Sequence, residues 1–153
     1  MTAHVTIRSR RPLRLLAAAP LLAAGLVGAA PAAAAAPPVL AGLTITPAVV
    51  PSGSGAALVA TATNTTTGPL NASMGVNVPA GLAVSGVSGT GGCTPRNLTR
   101  LVYCGVQGLP AGATATIRFT VTPGSAGTYT VQSYARVMYA TDNSLATRTL
   151  TAE

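Results

Sequence analysis

The stretch ATATIRFTV, residues 113–121, decides the fold. Ala115, Ile117, Phe119 and Val121 fall on one side of an extended chain, and Thr114, Thr116, Arg118 and Thr120 on the other. A period of two marks a strand with one face buried and one face in water. Its register is firm, because a slip of one residue would bury Arg118 in place of Phe119.

The same period recurs on both sides of this strand. ALVATATN (57–64) sets Leu58, Ala60 and Ala62 against Val59, Thr61 and Thr63, and ASMGVNV (72–78) sets Ala72, Met74, Val76 and Val78 against Ser73, Gly75 and Asn77. TYTVQSYARVMYA (128–140) groups Tyr129, Val131, Ala135 and Val137. LTIT, LAVSGV and LATRTLT are shorter runs, and PSGSG, TTTGP, PAGL, LPAGA, TPGSAG and TDNS supply the turns between strands. About seven strands at this spacing predict an all-β fold, an antiparallel β-sandwich. Phe119, Met74, Leu58, Val131 and Ile117 are the expected core, with Ala60, Ala62 and Ala135 letting the sheets approach.

The first 36 residues read as a secretory signal rather than as fold. Arg8, Arg10, Arg11 and Arg14 form a basic head, Leu15 to about Ala30 an apolar middle, and APAAAAAPP a zone of small residues for cleavage near Ala35 or Ala36. A retained anchor is the alternative reading of the apolar run. Ser9-Arg10-Arg11 leaves the export route open between the general and the twin-arginine pathways. Residues 37–153 are then one secreted, extracellular domain, with no membrane association after cleavage.

The chain carries +7, but its leader holds four of the nine basic residues. Five arginines against Asp142 and Glu153 leave about +3 on the rest. They are scattered, which is a poor footprint for nucleic acid. Enzyme chemistry lacks raw material: His4 lies in the leader, lysine is absent, and Asp142 sits in a TDNS turn that explains it. No catalytic residue and no cofactor are expected. The Asn64, Asn71 and Asn97 acceptor patterns arise by chance in so Thr-rich a chain.

Cys93 and Cys104 are the two cysteines, and export favours a disulfide between them. Closing a loop of this length stabilises a fold by about 3 kcal/mol in the loop-entropy model. A metal site would need more ligands, and redox pairs are usually closer in sequence. The bridge is expected to pin an exposed excursion between two strands. Pro95, Arg96, Asn97 and Arg100 form a candidate contact loop there, and Tyr134 with Met138 a candidate exposed patch.

In order along the chain, TATN, GVNVPAGLAV, Cys93, VYCGVQGLPAGATATIRFTVTP, AGTYTVQSYARV and DNSLATRTL resemble the bacterial secreted repeat called the domain of unknown function eleven. The resemblance spans roughly residues 43–151. It implies an immunoglobulin-like sandwich, no active site, and a structural or adhesive role outside the cell. Such repeats often stand in tandem on bacterial surfaces. One copy is expected here, with no sorting motif after the last strand. The expected partner is an unknown protein or a component of the cell envelope. Two other functions stay open: a small-ligand carrier with a cleft in the sandwich, and a protease inhibitor presenting Arg96. Intact mass spectrometry of the exported chain should give a product starting near Pro37, lighter by two hydrogens than its reduced form. Free thiols on an uncleaved chain would contradict the compartment assignment.

Overall fold

Phe119 is 3 % exposed while its neighbour Arg118 faces water, so the alternation read from 113–121 holds in three dimensions. The computed structural model describes residues 35–153, and the leader expected over 1–36 lies outside this range apart from its last two residues. The strands are β1 (Val39–Thr46), β2 (Val49–Val50), β3 (Ala56–Asn64), β4 (Leu70–Asn77), β5 (Leu82–Thr90), β6 (Arg96–Leu98), β7 (Leu101–Leu109), β8 (Thr114–Pro123), β9 (Gly127–Val137) and β10 (Ser144–Ala152). They form a four-stranded sheet, β1-β3-β8-β5, and a six-stranded sheet, β2-β10-β9-β4-β7-β6. Pairing is antiparallel except where β2 runs parallel to β10. The fold is an immunoglobulin-like β-sandwich.

The register brings apolar side chains together. Leu58 lies opposite Phe119, Ala60 opposite Ile117 and Ala62 opposite Ala115 in the first sheet, and Met74 opposite Ala135 in the second. Ala60, Ala62 and Ala135 are fully buried, small side chains within a close-packed core. The core also takes Leu109, Leu150, Val102 and Val106, all at most 2 % exposed.

Three expectations need correction. The strands number ten among the described residues, because two short edge strands and β7 join those expected. The bridged segment is exposed from Arg96 to Arg100, as expected, but it is not an irregular loop: it contains β6, paired to β7, and the first four residues of β7, of which Val102 and Cys104 are buried. Cys93 and Cys104 are bridged with Cα atoms 5.7 Å apart. The wet face expected on β4 is partly buried, since Ser73 and Gly75 are covered by side chains from β9.

One buried polar residue holds a corner. Asn64 ends β3 at 0 % exposure. Its amide nitrogen donates to the carbonyls of Gly68, Leu109 and Pro110 at 2.8, 2.9 and 3.0 Å. Its oxygen accepts from the Thr66 amide at 2.9 Å and the Thr66 hydroxyl at 2.7 Å. The side chain thereby ties the end of β3 to the turn between β7 and β8. A buried group left without its partner costs about 1–3 kcal/mol. Asn64→Ala strands several such groups, so chemical denaturation should show a loss of about 2–4 kcal/mol. A loss under about 0.5 kcal/mol, the size of an ordinary surface substitution, would contradict this role.

The two sides of the sandwich differ. On one side β1 is sealed to the other sheet: the Ala41 amide donates to the Ser144 hydroxyl at 3.0 Å, and the Ser133 hydroxyl donates to the Gly42 carbonyl at 3.2 Å. On the other side β5 and β6 each end their sheet.

Candidate functional site

A groove of about 180 Å³ runs along this second side, lined by the Val78–Leu82 turn, Val84, and the β6–β7 turn from Asn97 to Leu101. Leu98 is 52 % exposed here. Arg100 takes a left-handed backbone, φ 62°, which fits the tight turn between Leu98 and Leu101. The Val78 amide donates to the Arg100 carbonyl at 3.0 Å and fixes the turn. Two of the expected contact residues, Asn97 and Arg100, therefore face this groove. Arg96 does not: its backbone pairs with Tyr103 in the sheet ladder, and its side chain belongs to the outer face of the second sheet. Pro95 precedes β6 and is half-buried. A substrate-like loop for a protease needs its backbone free, and that of Arg96 is paired.

On the outer face a transverse row crosses four strands and ends on a fifth. Leu145 lies opposite Tyr134, Tyr134 opposite Gly75, Gly75 opposite Tyr103, and Tyr103 opposite Arg96. The Tyr134 ring occupies the space that a side chain at Gly75 would need, with ring atoms 2.6–2.7 Å from that Cβ position. Met138 lies in the same way over Gly105, its Cε 3.3 Å from the Cβ position. Tyr134 and Met138 are thus half-buried, not the freely exposed pair expected, because glycines beneath them make room for the side chains to lie down. Arg136 stacks on the Tyr134 ring, 5.7 Å from its centre, while its Nε donates to Ser73 Oγ at 3.2 Å and a terminal nitrogen to the Ala140 carbonyl at 3.3 Å. Sequence reasoning did not single out Tyr103, Leu98 or Leu145. Nor did it mark Tyr139, which is 94 % exposed with φ 67° in the β9–β10 connection.

A separate cavity of about 340 Å³ lies between the segment 35–39 and Ala135, Val137, Ala140 and Asp142. No aromatic side chain lines it. The carboxylate-bearing side chains of the described residues are Asp142 and Glu153, and neither lines the groove.

No protein-family model matches this chain, and no curated protein does. The solved structures show the fold alone. The CARDB domain of a Pyrococcus furiosus protein, solved with two metal ions, is 16 % identical with TM-score 0.53, covering 76 % of this chain and 93 % of its own. The major pilin subunit BcpA of Bacillus cereus is 6 % identical with TM-score 0.54, covering 74 % of this chain and 40 % of the pilin. The collagen-binding domain of a Staphylococcus aureus adhesin is 8 % identical with TM-score 0.51, covering 76 % of this chain and 99 % of its own. The fold also serves AvmM, which catalyses a macrocyclization (11 % identity, TM-score 0.50), so architecture does not separate binder from catalyst.

Burial raises the Tyr134 phenol above its usual 10.0; Arg136 opposes this shift and Tyr103 adds to it. The unfolded chain therefore loses this proton at lower pH than the folded chain. Stability that does not depend on pH below the ordinary tyrosine range falls as pH rises through it. Urea titrations across that range should show a smaller alkaline loss for Tyr134→Phe than for the parent. An equal loss in both would place the phenol in water.

Proposed function

We propose that this chain is an exported, non-enzymatic contact module of the bacterial cell exterior, structural or adhesive in role. The observation that carries this reading is the open side of the sandwich. Two strand edges stand side by side there, with half-exposed Leu98 and Arg100 around a groove that holds no acid or base suited to catalysis. The sequence resemblance to the secreted repeat of unknown function eleven supports the same role. So does a shared sandwich with a collagen-binding adhesin domain and a major pilin subunit. The chain divides on this reading into a leader over 1–36 and one domain over 37–153. Purified protein should co-sediment with an envelope fraction from its source cells, and Leu98→Asp should remove most of that binding without lowering the melting temperature. A parent chain that stays in the supernatant would overturn the proposal.

The carrier reading rests on the 340 Å³ cavity, which loses Ala35 and Ala36 with the leader and keeps Pro37, Pro38 and Val39 as that wall. Native mass spectrometry tests it: an adduct lost on denaturation would favour a carrier over a contact module.

A further inference from the structure

We infer that the free edge of β5 docks an extended peptide segment of a partner protein, one that alternates apolar residues and carries a carboxylate. This rests on the contact-module reading and names the partner's chemistry. The argument starts from the asymmetry between the edges of the first sheet. Hydroxyls of Ser144 and Ser133 satisfy backbone groups of Ala41 and Gly42 on β1, so that edge is closed. Among the described residues, β5 pairs with β8 on one side and with no strand on the other. Its sequence, LAVSGVSGT, contains no charge and no proline, two of the devices that keep an edge from recruiting another strand, and its one such device is a bulge. A bulge between Ser85 and Ser88 divides it into two regular runs, Leu82–Ser85 and Ser88–Thr90, and the first is the one beside the groove, where a guest strand could pair.

Alongside that run lies the groove. Leu82 and Val84 contribute one wall, and Leu98 and Leu101 the other. A guest strand on β5 points alternate side chains to one side, and apolar ones there would fill this groove. The groove is held in shape before a guest arrives, by the Val78–Arg100 backbone bond and by the Cys93–Cys104 bridge next to β6. Arg100 lines it without a carboxylate beside it: Asp142 lines the other cavity, and the backbone of Glu153 is bonded to Val50 and Ser52. A guest carboxylate would complete that pair. A second copy of this chain is the poorer occupant, because β5-to-β5 pairing brings another Arg100 to the groove and no acid.

The test is selection of random linear peptides displayed on phage against the exported, disulfide-intact chain, followed by fluorescence polarisation with the synthesised winners. The expected winners alternate apolar residues and include Asp or Glu. Arg100→Glu should weaken them roughly tenfold, and replacing the acid by Lys should restore binding to that variant. N-methylation of alternate peptide nitrogens should abolish binding in one phase and spare it in the other, because half of a guest strand's N–H groups face β5. Failure to select any binder, binding that survives both methylation phases and Arg100→Glu, or a dimer formed through β5 in sedimentation would each overturn the inference. A chain that binds the envelope but takes no such peptide loses the β5 assignment alone. One that binds neither loses the contact-module reading as well.

Discussion

The pairing of β3 with β8 is the constraint from which the rest of the molecule follows. These two strands occupy the middle of the four-stranded sheet, and their register sets Leu58 against Phe119 and Ala60 against Ile117 on the buried face. It simultaneously sets Val59 against Arg118 on the outer face. A slip of one residue would exchange the two faces and bury a guanidinium without a partner, which costs several kcal/mol. β1 lies beyond β3 and β5 beyond β8, so the sealed edge and the open edge flank this pair.

The disulfide belongs to this scheme as a brace between layers. Cys93 follows β5, which ends the first sheet, and Cys104 sits at 0 % exposure in β7 of the second. Where serine hydroxyls stitch the layers beside β1, a covalent link ties them near β5 and β6. This lets the second side stay open without the edges drifting apart. The outer face of the six-stranded sheet is organised differently. Glycines at 75 and 105 form a floor on which Tyr134 and Met138 lie flat, and Arg136 is held by the ring beneath it, Ser73 and the Ala140 carbonyl. Its side chains are largely engaged with one another, whereas Leu98 and Arg100 at the groove are not.

How much of this was legible in the sequence depended on whether one strand's pattern was enough. β3, β8 and β9 announce themselves because each alternates apolar and polar residues over its own length. β7 alternates too, with Val102, Cys104 and Val106 against Tyr103, Gly105 and Gln107, but the two cysteines drew the segment into a presumed loop. The Tyr134–Gly75 contact joins residues far apart in sequence, and a glycine at an outward position looks like a weak strand until the ring above it is seen. Ser133 and Ser144 read as ordinary polar residues, since their role requires knowing that β1 lies across from them. Of the expected contact residues, Asn97 and Arg100 reach one groove beside the tight turn, and Arg96 stands instead with Tyr103 and Gly105.

The central claim is that one side of this sandwich is closed by hydrogen bonds and the other is not. Amide hydrogen exchange on the free, disulfide-intact protein measures that directly. The account predicts slow exchange at Ala41, lost in Ser144→Ala, and fast exchange at those amides of Ala83–Ser85 that point away from β8; the Leu82 amide is bonded to the Pro79 carbonyl. Protection at every amide along β5 in the free protein, or an Ala41 amide that exchanges freely, would contradict it.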